Sequence, residues 1–192
     1  MREGEAPSRD RPDPMRLPVR RDLVALTLPF ALALPGARAL AADAVAEMKD
    51  ADGESIGTVE FTETPAGLHV VFDLEGIPEG VHGVHVHETG DCSAADFASA
   101  GGHLAGGRPH GFLTEGGPHP GDFPNAHVGA DGRLTVEYVN DLLTLGPGGE
   151  GAMLDADGAG VIVHSGPDDY ASQPSGEAGD RIACGVVTAA GG

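Results

Sequence analysis

Tryptophan is absent from this chain, tyrosine occurs twice, and the single lysine is Lys49. Positive charge is scarce throughout: 11 basic side chains stand against 30 acidic ones, for a formal net charge of −19. Such a surface repels phosphate backbones and anionic headgroups, which excludes nucleic acid and anionic lipid as partners. Apolar stretches with helical period are nearly missing beyond the N-terminus, which argues against a helix bundle. No later run is long enough to span a bilayer. Glycine (31) and proline (15) are abundant instead. Short apolar runs between Gly, Pro and Asp turns favour many short strands around one core.

The first 41 residues read as a secretory signal. Arg16, Arg20 and Arg21 precede a mostly apolar run over 23–34, and Ala39-Leu40-Ala41 offers a small-x-small cleavage site. The Arg20-Arg21 pair also permits twin-arginine export. Residues 1–14 are charged and proline-rich, so Met15 is a candidate true start. Cleavage after Ala41 leaves one domain, 42–192, with 4 basic and 25 acidic side chains and a formal charge of −21. The expected location is outside the cytoplasm, in the periplasm or beyond, with no membrane attachment after cleavage. Cys92 and Cys184 both lie in the exported part, and two cysteines in an oxidising compartment are expected to pair.

Alternation marks the strands. AVAEMKD and ESIGTVEFTET flank a DG turn as a hairpin. GLHVVFDL, VHGVHVH and RLTVEYV follow. GAMLD and AGVIVHSG read as a second hairpin, and RIACGVVTA as the last strand. This pattern predicts an all-β antiparallel sandwich or barrel. Residues 91–129 and 165–180 alternate little and are rich in Gly, Pro, His and Asp. Loops of that length in a compact domain carry function or are disordered.

The histidines gather around those loops. His85 and His87 sit two apart on one strand and so share a face. On its own such a pair does not distinguish half a metal site from a polar strand edge. His103, His110 and His119 fall in the first loop with Asp122 close behind, and His164 ends a strand beside the second loop. Imidazole suits copper and zinc, and an added carboxylate suits zinc. His69 and His127 carry no such reading: His69 fits a strand surface, and His127 trails the cluster.

The stretches HGVHVHETGDC (82–92), SAGGH (99–103), HG (110–111), GPHPGDFPN (117–125), VIVHSGPDDY (161–170) and GDRIACGVV (179–187) occur in this order. Together they resemble the copper/zinc superoxide dismutases of the exported bacterial kind, over essentially all of 42–192. The resemblance implies an eight-stranded antiparallel Greek-key β-barrel with two long functional loops. It implies dismutation of superoxide to oxygen and hydrogen peroxide, with one copper and one zinc per subunit. His85, His87, His103 and His164 resemble the copper ligands; His103, His110, His119 and Asp122 resemble the zinc ligands, with His103 shared and able to supply a proton. Asp168 resembles the carboxylate that joins ligands of both metals, Arg181 the arginine that docks the substrate anion, and Cys92–Cys184 the family disulfide.

Two departures stand out. The family usually places the next zinc ligand eight residues after the bridging histidine, whereas HLAGGRPH places His110 seven after His103, so this loop takes a different path. The lysines that often surround the family's channel are missing as well. A competing class is a non-catalytic exported copper- or zinc-binding protein, which would be expected to lack the bridging histidine, a copper ligand or the arginine. Homodimer and monomer are both left open.

Overall fold

The computed structural model describes residues 42–191; the expected signal segment 1–41, with its candidate start at Met15, lies outside the described residues. Nine strands follow in chain order: β1 (Ala44–Asp50), β2 (Ser55–Thr64), β3 (Gly67–Leu74), β4 (Gly80–His82), β5 (Val84–His87), β6 (Ala126–Val128), β7 (Leu134–Asn140), β8 (Gly160–His164) and β9 (Arg181–Ala189). Every pairing between them is antiparallel. Seven strands form one sheet in the order β5-β8-β9-β1-β2-β3-β7, and β4 pairs separately with β6.

The small pair closes the large sheet on itself. β4 runs into β5 at one edge through the single residue Gly83, while β6 leads by a short turn into β7 at the other edge. Eight strands were expected, and β4 and β5 are the one extra division. They form a single sequence run interrupted where Gly83 turns to the second loop, donating to Gly166 O at 2.8 Å and accepting from His164 N at 2.9 Å. The architecture is the expected Greek-key barrel.

Strand alternation builds the core directly. In β3, Leu68, Val70, Phe72 and Leu74 point inward and are buried, and β1 contributes Ala44, Ala46 and Met48. Phe72 meets Phe123 and Tyr138 edge-on, with ring centroids 5.9 and 5.8 Å apart. Such contacts between aromatic rings supply the bulk that the missing tryptophan would otherwise provide.

Two expectations need correction. Residues 91–129 are not wholly irregular, because their end forms β6, three residues too short to display a period. The second hairpin does not form either. Residues 151–153 form no ladder with β8; only an isolated bridge joins Thr144 to Ala152, and Gly151, Ala152 and Met153 are all buried. Leu143, Leu145 and Met153 instead pack into the core. Asn140 anchors the start of this segment by accepting from Leu142 N and Leu143 N at 2.9 and 3.0 Å.

The first long loop is fastened to the barrel wall by the Cys92–Cys184 disulfide, with Cα atoms 5.9 Å apart. Beside it Phe97 and Ala100 cover Ile162 and Cys184 as a small apolar cluster outside the main core. Replacing both cysteines with serine should lower the unfolding free energy by about 4 kcal/mol through loop-closure entropy. Urea titration of the metal-free protein checks this, and a loss below about 1 kcal/mol would mean that the closed loop adds little to the fold.

Candidate metal centre

Strand β5 is buried on both faces. Val84 and Val86 join the core, so His85 and His87 must project outward, where the first loop covers them. The loop docks by main-chain bonds: Leu104 N donates to Val86 O at 2.8 Å and Val86 N donates to Gly121 O at 2.8 Å. Isolated bridges then set His103 beside His87 and Asp122 beside His85. His164 arrives from β8 at a break in register with β9, where its partner is Arg181.

Two groups result. His85, His87, His103 and His164 form one; His103, His110, His119 and Asp122 form the other, and within each the donor atoms lie within 4.8 Å of one another. All seven residues are buried. His103 belongs to both. The structure thus brings together all seven side chains expected to bind metal, despite the shortened spacing from His103 to His110. The short segment turns tightly at Gly106, whose φ of +56° suits glycine and where a Cβ would sit 2.8 Å from Glu150 Cβ.

Each ring in the first group has one nitrogen engaged and one free. His85 Nε2 contacts Asp168 Oδ2 at 2.8 Å, His87 Nδ1 donates to Gly101 O at 3.1 Å, His103 Nδ1 lies 3.1 Å from Asp122 Oδ1, and His164 Nδ1 donates to Gly179 O at 3.3 Å. The opposite nitrogens, His85 Nδ1, His87 Nε2, His103 Nε2 and His164 Nε2, are buried without a hydrogen-bond partner. Leaving such a group unsatisfied costs about 1–3 kcal/mol. Four converging imidazole nitrogens fit copper well, so the donor set matches the cofactor.

The second group centres on Asp122. His110 Nδ1 lies 3.1 Å from its Oδ1, while Gly111 N and His119 N donate to Oδ2, each at 3.0 Å. His119 Nδ1 is 3.3 Å from Oδ1 but lacks hydrogen-bond alignment and is another orphaned nitrogen. Three imidazoles and one carboxylate suit zinc. Asp168 links the groups, since its Oδ1 contacts His110 Nε2 at 3.1 Å while Oδ2 holds His85. That contact leaves no space behind it: at Gly176, with φ +68°, a Cβ would lie 1.9 Å from Asp168 Oδ1.

Burial and charge set the protonation states. Burial depresses His85 to about 3, with the Asp168 contact opposing it, and His87 to about 2, with His103 adding to the effect. Burial likewise lowers His164 to about 4. Burial also pulls His110 down, but its contacts with Asp122 and Asp168 outweigh this and raise it to about 9. Asp122 is opposed by burial and yet held far below the ordinary range by His103, His110 and His119. Arg181 donates from Nη1 to Phe97 O and from Nη2 to Gly101 O, each at 2.6 Å. Gly101 O therefore serves both Arg181 and His87.

The Sod_Cu family, "Copper/zinc superoxide dismutase", matches residues 55–187. The chain belongs to the copper/zinc superoxide dismutase family. It is 45% identical to the Cu-Zn superoxide dismutase of Caulobacter vibrioides over 147 residues, 75% of this chain and 84% of that one. Among solved structures it is similar to a SOD-like protein from Bacillus subtilis, with TM-score 0.71 and 34% identity over 74% of this chain and 96% of that one. It is similar also to the Cu/Zn superoxide dismutase of Brucella abortus, with TM-score 0.59 and 32% identity over 74% of this chain and 97% of that one.

The remaining histidines lie outside both groups. His82 is buried between the carbonyls of His164 and Pro78, at 2.7 and 2.9 Å; His69 pairs with Glu137 on the surface, and His127 is exposed on β6. Residue patterns alone did not reveal Gln173, Asn125 or the Gly101 carbonyl, because a hydrogen bond between loops leaves no spacing signature.

In the metal-free protein the depressed histidines should govern acid stability. Unfolded histidine takes a proton near 6.5, while folded His85, His87 and His164 refuse it until about 3, 2 and 4. Their cost to the fold is absent above about 6.5 and grows as pH falls below it, by about 1.4 kcal/mol per pH unit for each ring. His110 acts oppositely: its contribution is present below 6.5 and lost as pH rises through about 9. The urea midpoint of metal-free protein should therefore be highest near neutrality and fall toward pH 4.5. A midpoint unchanged from about pH 7 to 4.5 would contradict this.

Proposed function

We propose that this chain removes superoxide at a copper ion held by His85, His87, His103 and His164, next to a zinc ion held by His103, His110, His119 and Asp122. The observation that carries this reading is the set of free buried nitrogens, one on each ring of the first group, with His103 common to both groups. Copper supplies a one-electron couple, so that one superoxide is oxidised to oxygen and a second, with two protons, is reduced to hydrogen peroxide. Zinc has no redox chemistry.

The chain's own residues do the rest. Arg181 presents a half-buried guanidinium beside the first group, where it attracts and orients the anion. Its two carbonyl contacts, at Phe97 and Gly101, fix the approach of the guanidinium. His103 Nε2 has no protein partner and is placed to hold one of the two protons between half-reactions. Asp168 orients His85 and His110 through their outer nitrogens, and such contacts tune ligand basicity and direction. The catalytic assignment of Arg181 and His103 distinguishes an enzyme from a passive metal store. The N-terminal pattern and the disulfide support action outside the cytoplasm.

Protein purified without metal and reloaded with copper and zinc should consume superoxide, and His103→Ala should remove most of that activity while zinc dissociates faster. Full activity with unchanged copper(II) absorption in His103→Ala would overturn the shared-ring reading.

The charge distribution allows a second check. Among the described residues, Arg108 and Arg133 face Glu150 and the Asp73/Glu75 pair. Lys49 pairs across the sheet with Cys184, beside the disulfide. Arg181 is thus the cation at the site, within a strongly anionic domain. Charges beyond about 10 Å are screened at 0.1 M salt, so added salt should remove long-range repulsion. kcat/KM should fall only weakly, stay level or rise with ionic strength. A steep fall would mean that local attraction dominates despite the missing lysines.

A further inference from the structure

Two side-chain amides join the loops that carry the second group. Gln173, in the second loop, grips the backbone of His110 in the first: its Oε1 accepts from His110 N and its Nε2 donates to His110 O, each at 2.9 Å. Asn125, at the end of the first loop, grips the backbone of Asp168 in the second in the same way. Its Oδ1 accepts from Asp168 N and its Nδ2 donates to Asp168 O, each at 2.8 Å.

The two gripped residues are the pair whose side chains touch, His110 Nε2 to Asp168 Oδ1 at 3.1 Å. A primary amide offers a donor and an acceptor side by side, as a peptide does, so each grip fixes orientation as well as position. A single hydrogen bond would leave the backbone free to pivot. His110 needs this hold, because it lies in an irregular segment, outside every strand. Tyr170 reinforces the other grip, its hydroxyl accepting from Asn125 N at 2.7 Å.

We propose that Gln173 and Asn125 are positioning residues of the metal centre: reciprocal amide clamps that hold His110 of one loop against Asp168 of the other. The proposal rests on the reading that the second group binds zinc. By restraining both loops at their point of contact, the clamps keep His110 aimed at the ion and keep Asp168 available to His85.

The test uses the copper- and zinc-loaded protein and measures zinc transfer to a chelator. Gln173→Ala and Asn125→Ala should release zinc about ten- to a hundredfold faster, the range found when groups that orient metal ligands are removed. Gln173→Glu should be intermediate, because a carboxylate accepts from His110 N but cannot donate to His110 O. With cobalt(II) in the zinc position, the visible bands should shift in Gln173→Ala, a change in ligand geometry that a general loss of stability would not produce. Circular dichroism and the intact disulfide verify folding; should Gln173→Ala not fold, Gln173→Glu is read by the same two measures. Wild-type zinc release and cobalt spectra in the variants would overturn the clamps alone. A wild-type chain that takes up no zinc would overturn the metal reading and the clamps with it.

Discussion

Four imidazole nitrogens converge in a buried space with nothing in the protein to satisfy them. That is a standing cost to the fold, and much of the surrounding structure holds it in place. The outer nitrogens of His85, His87 and His164 are tied to a carboxylate or a carbonyl, which fixes each ring and leaves its inner nitrogen free, while the second nitrogen of His103 faces Asp122 of the other group. Burial then keeps His85, His87 and His164 unprotonated at any ordinary pH, as metal binding requires. The barrel supplies rigidity, since His85, His87 and His164 stand on strands whose alternate residues are locked in the core. Rigid elements place ligands more accurately than loops do.

The loops supply what the barrel cannot. His103, His110, His119 and Asp122 come from one irregular segment, which must be fixed in several places. The disulfide and the Phe97 cluster fix its start, main-chain bonds to β5 fix its middle, and contacts with the second loop fix its end. Arg181 depends on the same fixation, because the carbonyls it grips lie in the stapled part. One loop thus carries an end of the disulfide, four of the seven clustered side chains and the two carbonyls that hold the Arg181 guanidinium.

How far the sequence reveals this depends on the kind of interaction. The barrel was legible because strand alternation is local, as in β3, where Leu68, Val70, Phe72 and Leu74 lie on one face. His85 and His87 could be assigned a common face for the same reason. The grouping of His103, His110, His119 and Asp122 into one site was not legible from periodicity and came through resemblance to a family. Strand β6 escaped notice because three residues between Asn125 and Gly129 cannot display a period. The expected hairpin through Met153 failed because an apolar run flanked by turns also suits a buried plug. The amide contacts of Gln173 and Asn125 were invisible, since partners 63 and 43 residues apart are matched only by the folded loops.

The shared ring is the centre of this arrangement, and metal-specific anomalous scattering from crystals of the copper- and zinc-loaded protein tests it most directly. Data collected on either side of the copper and zinc absorption edges should place copper at His103 Nε2 with His85, His87 and His164. Zinc should lie at His103 Nδ1 with His110, His119 and Asp122, at zinc–nitrogen distances of about 2.0–2.1 Å. A single metal peak, or two peaks of which only one contacts His103, would contradict it.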